Sequence, residues 1–297
     1  MRFAWRARAC YVLLSFFCVV AEAREWPLKP EAMSDAPLGL PRNIVAIPVP
    51  VPGEVFIPPA IVKIPEDKQG DMVKLGRDIF TDTQKYARRY TGNGLNCQSC
   101  HLSEGRKPDA APLWAAYGMY PNLDDAGEVI TFEERVQRCF RLSMNGLGPP
   151  VDSPEMQGLT AYGQWLALGA PARAVLPGRG LTRVEALTDM SAQRGHEIYG
   201  AQCAICHGAD GRGVRRADDI GYQFPPLWGE DAYGHGASFD RVGVAAAYIK
   251  GNMPLGRAYS LSDRDAWDVA YYLSLQDRPA DPRIGWIARL KRLGGGS

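Results

Sequence analysis

A mainly α-helical chain built as two tandem copies of one small module is what this sequence predicts, and three observations predict it. The pentapeptide Cys97-Gln98-Ser99-Cys100-His101 recurs as Cys203-Ala204-Ile205-Cys206-His207. Ahead of each lies Gly-x-x-Ile-aromatic within a helical pattern, Gly76 to Phe80 and Gly195 to Tyr199. After each come Pro-Leu-Trp, Pro112 to Trp114 and Pro226 to Trp228, and a closing apolar helical pattern. One repeated unit explains all three, because duplicated modules repeat their motifs in the same order.

C-x-x-C-H is the attachment signature of a c-type haem. Cys97 and Cys100, and again Cys203 and Cys206, are expected to hold a macrocycle through thioether bonds, with His101 and His207 as the proximal iron ligands. The rival chemistry is zinc, which would need both C-x-x-C-H units clamped together as knuckles. Nothing else in the chain calls for that. The expectation is therefore two tandem class I cytochrome c domains, each with one covalently bound haem c.

The chain of 297 residues is long enough for two such domains and a connecting arm. Arg2, Arg6 and Arg8 precede an apolar run from Ala9 to Val20, and Ala21-Glu22-Ala23 has the small-x-small pattern of a cleavage site. Residues 1–23 read as a secretory signal. The apolar run is short of the ~20 residues a spanning helix needs, so no stable membrane insertion is expected after cleavage. Removing the leader takes the 34 basic and 33 acidic residues to 31 and 32. That balance argues against nucleic acid as a partner. Export points to the periplasm and also removes Cys10 and Cys18. With four cysteines consumed by haem, Cys139 alone is left over. An unpaired cysteine in an oxidising compartment is a buried thiol, an intermolecular bridge or a ligand.

Residues 24–65 are rich in proline and read as an extended arm lying on the folded body. The first module is expected over 66–168. It opens on a helix from Asp67 to Phe80, with Met72, Leu75, Ile79 and Phe80 as its apolar face. Gly76 and Gly195 are expected to admit a partner helix closely, and the following aromatics to pack there or on the haem edge. Sixteen residues separate Phe80 from Cys97 but three separate Tyr199 from Cys203, which places an insertion near 81–93. The closing helices are predicted over Pro154 to Leu168 and Ser262 to Leu275, each capped by serine or aspartate. A linker spans 169–183, the second module 184–277, and a basic tail ending in Gly-Gly-Gly-Ser spans 278–297.

The sixth iron position decides whether a haem shuttles electrons or binds something. For the second module, Met253 in Gly251-Asn252-Met253-Pro254 offers a thioether donor, and Met/His ligation gives a high-potential carrier. His196 and His235 read as a polar-face and a loop residue. The first module has two candidates. Met144, in Ser143-Met144-Asn145-Gly146, precedes Tyr162 by 18 residues, the interval from Met253 to Tyr271. Cys139 lies in the arginine-rich run Glu134 to Arg141, where neighbouring cations would lower its pKa and favour an iron-binding thiolate. A thiolate ligand lowers a haem potential relative to methionine.

With these residues assembled, the chain resembles the dihaem thiosulfate dehydrogenase family, also described as tetrathionate reductases. The resemblance runs from about Ile64 to Gln276. It is carried by Thr91 to Leu102, Arg135 to Cys139, Ser143 to Gly146, Phe224 to Gly229 and Asn252 to Pro254. It implies that Cys139 is the distal ligand of the active-site haem, that Met253 ligates the electron-transfer haem, and that Arg135 binds substrate. Arg106, Arg138 and Arg141 are secondary substrate candidates. The implied activity joins two thiosulfate ions into tetrathionate and passes electrons to a small cytochrome c or high-potential iron-sulfur protein. One departure stands out: a family arginine about ten residues before Arg135 is replaced by the neighbourhood Asn122 to Gly127, with Asp124 and Asp125. Arg88 and Arg89 could substitute for it. Two further functions stay open on the residues, a dihaem carrier serving a periplasmic dehydrogenase and oxidation of another sulfur compound.

Overall fold

The computed structural model describes residues 49–50, 53–124 and 127–283. The signal segment, most of the proline-rich arm and the end of the basic tail lie outside the described residues.

Helix α1 (Lys68–Thr81) starts where Asp67 accepts a hydrogen bond from the Gly70 amide, satisfying one of the donors a helix start leaves unpaired. Its buried face is Gly70, Val73, Gly76, Ile79 and Phe80, so Val73 takes the core place expected of Met72. The insertion folds as α2 (Thr83–Tyr86) and a 3-10 turn at Arg88–Tyr90. After the first C-x-x-C-H come the short turn α3 (Leu102–Gly105) and the antiparallel pair β2 (Asn122–Leu123) and β3 (Val129–Ile130). Helix α4 (Phe132–Leu142) opens on a capping box between Thr131 and Glu134. Helix α5 (Pro154–Leu166) is capped by Ser153 with proline in its first turn, where a missing N–H costs nothing.

The second half repeats the scheme with α6 (Ala192–Gln202), α7 (Ala204–His207), the pair β5 (Val214–Arg215) and β6 (Tyr222–Phe224), α8 (Val242–Asn252) and α9 (Asp263–Ser274). A capping box between Ser262 and Asp265 starts α9.

Each half is held by a crossing of its opening and closing helices. At α1 and α5, a Cβ on Gly76 would stand 1.9 Å from the Gly158 carbonyl oxygen. At α6 and α9, a Cβ on Gly195 would stand 2.0 Å from the Asp268 carbonyl oxygen. Both glycines therefore permit backbone approach that any side chain would block. The aromatics four residues on behave alike: Phe80 lies 5.7 Å from the Tyr162 ring and Tyr199 5.7 Å from the Tyr272 ring. Tyr272, rather than Tyr271, is thus the counterpart of Tyr162. The equal interval that favoured Met144 fails by one residue.

Two apolar cores result, one around Trp114, Phe140, Tyr162 and Leu166, the other around Tyr199, Ala246, Val269 and Leu273. The linker is part of the body. Strand β4 (Ala174–Val175) pairs in parallel with β1 (Val49–Pro50), and Ala174 and Leu176 are buried in the first core. The Phe56 and Trp114 rings lie 5.7 Å apart, tilted by 46° to one another. Fully buried Asn252 joins the halves, accepting from Lys107 Nζ at 2.8 Å and donating to the Asp109 carbonyl at 2.7 Å. Asn93 and Asn145 both donate to the Ala232 carbonyl.

Candidate functional site

A cavity of about 350 Å³ opens beside the first C-x-x-C-H. Its walls are mostly apolar, with Phe80, Leu113, Met119, Phe132 and Leu159 among them. The polar residues are few: Asn96, Cys97, Cys100 and His101 from the first motif, Arg135, Cys139 and Ser143 from α4 and its C-terminus, and Tyr120, Asn122 and Arg179. A mostly apolar cavity of this size with a few convergent polar groups is the usual form of a cofactor site.

The donor set fits haem c. No disulfide joins the described cysteines, so both thiols of each C-x-x-C-H are available for thioether bonds. His101 Nδ1 lies 2.6 Å from the Ala111 carbonyl, and His207 Nδ1 lies 2.8 Å from the Pro225 carbonyl. A carbonyl can only accept, so Nδ1 carries the proton and Nε2 is left with the lone pair an iron needs. The same device serves both modules. In the second, Cys203 and Met253 pack against one apolar cluster, and Met253 follows directly on α8.

Among the thiols of the first cavity, Cys139 is the one whose pKa is lowered. Burial pushes Cys97 and Cys100 up to about 12. Burial pushes Cys139 up as well, but the Arg135 guanidinium and the His101 ring outweigh it and hold the thiol at about 7. Arg135 Nη1 donates to Cys139 Sγ at 2.9 Å, one helical turn away on α4. The i, i+4 spacing puts both side chains on one face. Burial opposes the Arg135 charge less than the Cys139 thiolate supports it, and its pKa is raised. Tyr120 also hydrogen-bonds Arg135. Met144 lines the same cavity while buried in the first core, with its carbonyl taking the Gly92 amide at 2.7 Å.

The other arginines sort by partner. Arg138 is paired with Asp124 and reaches Glu128, which ties α4 to the β2–β3 loop. The Asp124 carboxylate that replaces a basic neighbourhood is thereby neutralised within the protein. Arg141 is exposed. Arg106 Nη2 donates to the Pro58 carbonyl, and Arg89 pairs with Glu155. Arg88 donates to Thr91. None of these five lines the cavity, whereas Arg135 does. His196 lies exposed against Tyr272, and exposed His235 pairs with Asp240. Arg179, Tyr120 and Ser143 are cavity residues that the sequence reading did not assign. Arg179 had one local signal, the flanking Gly178 and Gly180 at φ +76° and +80°, which mark a fixed turn.

Comparison with known proteins bears on what this geometry serves. Residues 191–273 match the family model described as cytochrome C oxidase, cbb3-type, subunit III. The thiosulfate dehydrogenase of Stutzerimonas stutzeri (strain A1501) is 48% identical over 231 residues, covering 77% of this chain and 75% of that protein. The chain belongs to the thiosulfate dehydrogenase family. The thiosulfate dehydrogenase of Thiomonas intermedia (strain K12) is 43% identical over 252 residues, covering 84% of this chain and 79% of its own. A solved structure, the as-isolated thiosulfate dehydrogenase (TsdBA) of Marichromatium purpuratum, superposes with a TM-score of 0.75 at 38% identity. It covers 82% of this chain, which spans 54% of that longer chain. As a member of this family the chain is a c-type cytochrome oxidoreductase carrying two haems c. Among the described residues no helix is long and apolar enough to cross a membrane.

Proposed function

We propose that this chain oxidises thiosulfate in the periplasm, joining two dianions through sulfur to give tetrathionate. The observation that carries the reading is the Arg135–Cys139 pair, a guanidinium 2.9 Å from the thiol sulfur, lining one cavity with the first C-x-x-C-H. Cys97, Cys100 and His101 would hold the active-site haem in module 66–168, and Cys139 would supply the sulfur donor facing it. Cys203, Cys206, His207 and Met253 hold the second in module 184–277. Once bound, the haems supply a one-electron relay, lower in potential on the thiolate side and higher on the methionine side.

The protein's own groups account for the sulfur chemistry. Two thiosulfate dianions about 6 Å apart repel by on the order of 10 kcal/mol at an effective dielectric near 20. Fixed guanidinium charge must offset that repulsion where the sulfurs meet, and Arg135 is so placed. Cys139 Sγ bonds to the sulfane sulfur of the first thiosulfate as two electrons leave for the acceptor. The sulfane sulfur of the second thiosulfate then attacks that sulfur, the Cys139 thiolate departs, and tetrathionate forms. Charge balances at each step, and no proton is transferred. The acceptor is a small periplasmic cytochrome c or high-potential iron-sulfur protein, meeting the second module through a transient interface.

The test is thiosulfate oxidation with ferricyanide as acceptor, in the holoprotein and in Cys139→Gly. Tetrathionate from the wild type and none from the variant, with both haems retained, is the expected result. Equal turnover in the two removes Cys139 from the chemistry, and no turnover in either makes the chain a carrier.

A further inference from the structure

Joining two dianions needs more positive charge than one guanidinium, and the cavity holds a second. Arg179 comes from the segment between the modules, 40 residues beyond Cys139, yet lines the same cavity as Cys139 and Arg135. We propose that Arg179 is a second substrate-binding guanidinium, holding the sulfonate of one thiosulfate while Arg135 holds the other at Cys139. The proposal rests on the thiosulfate reading above and adds a residue to that site.

Three observations carry it. First, the segment is fixed. The Asp109 amide donates to the Gly178 carbonyl at 2.8 Å, and the Ala111 amide donates to the Gly180 carbonyl at 2.6 Å. Ala110 and Leu181 form a bridge beside them, and the Arg179 amide donates to the Leu176 carbonyl at 3.1 Å. Ala111 is also the residue whose carbonyl takes His101 Nδ1. The backbone that orients the proximal histidine therefore also anchors the Arg179 backbone on both flanks, at the edge of the cavity its side chain lines.

Second, Arg179 faces the right neighbours. It interacts with Tyr120, whose hydroxyl also bonds Arg135. Tyr120 is thus within electrostatic reach of both guanidinium groups, and Arg135 in turn touches Cys139. Third, among the described residues no carboxylate pairs with Arg179, in contrast to Arg138 with Asp124 and Arg89 with Glu155. The group is half-buried, and burial works against its charge. A desolvated guanidinium without an internal counter-ion favours an incoming anion. Arg179 thereby supplies, from the linker, the charge missing at the Asp124–Asp125 segment.

The anion could instead be a carboxylate of the bound haem, and the experiment separates the two. Oxidised holoprotein is titrated with thiosulfate, following the Soret difference spectrum, for the wild type, Arg179→Gln and Arg179→Lys. Haem content and the midpoint potentials of both haems are recorded alongside. Loss of one charge-assisted contact predicts a Kd weakened by about tenfold or more in R179Q, with a smaller loss in R179K and unmoved potentials. An unchanged Kd in both variants overturns the proposal, and a shifted first-haem potential with that unchanged Kd assigns Arg179 to the haem. A wild type that binds thiosulfate without making tetrathionate defeats the proposed reaction but leaves Arg179 judged by its Kd. A wild type that neither binds nor oxidises thiosulfate overturns both.

Discussion

His101 and His207 meet their carbonyls at 2.6 and 2.8 Å, Gly76 and Gly195 admit their partner helices alike, and Phe80 and Tyr199 pack on equivalent tyrosines. On the other side of each haem site the modules part. The first places α4 there, with Arg135 and Cys139 one turn apart, and leaves a cavity of about 350 Å³ lined by a second arginine from the linker. The second ends α8 directly on Met253, packed against its apolar cluster. The shared frame fixes the tautomer of both histidines, and in the function proposed above the residues opposite them set what each haem does. Sulfur chemistry needs an anionic sulfur and fixed positive charge, and the first module brings Cys139, Arg135 and Arg179 to one cavity.

Removing the distal sulfur should break this contrast most severely. Cys139→Gly is expected to lower thiosulfate turnover by about a thousandfold or more while both haems stay attached. Ferricyanide-coupled assay and haem quantitation check it. Arg135→Gln comes next, at about a hundredfold in kcat/KM, since it removes both a substrate charge and the partner of the Cys139 thiolate. It also shifts the pH profile. The Cys139 pKa is depressed to about 7, so the thiolate is present above that value and lost as pH falls through it. Iron coordination extends the thiolate further into acid. Wild-type activity should therefore fall only on the acid side of pH 7, and the acid limb should move to higher pH in the variant, which lacks the Arg135 charge.

The seam between the modules is sharpened by Asn252→Ala. That change deletes the contacts to Lys107 and Asp109 beside Met253 and leaves the Lys107 ammonium and Asp109 carbonyl without their partner. A loss of about 2–3 kcal/mol is expected, measured by denaturant unfolding of the holoprotein. Arg138→Gln should do least to catalysis, with less than about a threefold change in KM, because its charge is already satisfied by Asp124 and Glu128. A loss as large as that of R135Q would place Arg138 in the substrate site after all.

Much of this was legible because it is local. C-x-x-C-H, the Gly-x-x-Ile-aromatic helices and the serine caps at Ser153 and Ser262 each act within a few residues. Arg135 and Cys139 could be paired from sequence because four residues make one helical turn. Register across a helix crossing was harder: Val73 rather than Met72 faces the core, and Tyr272 rather than Tyr271 matches Tyr162. The Arg138–Asp124 pair and the cavity position of Arg179 depend on chain segments brought together by backbone pairing far along the sequence. Nothing in their own neighbourhood specifies a partner, and so the two aspartates read as a repulsive gap in an anion site when one of them is an internal counter-ion.

The most direct measurement is EPR of the oxidised holoprotein, repeated on Cys139→Gly and followed by thiosulfate addition. One low-spin signal of thiolate/histidine type beside one of methionine/histidine type, with the first abolished in the variant and tetrathionate formed only by the wild type, is what the account predicts. Two methionine/histidine signals that survive the substitution unchanged would contradict it and give the distal site of the first haem to Met144.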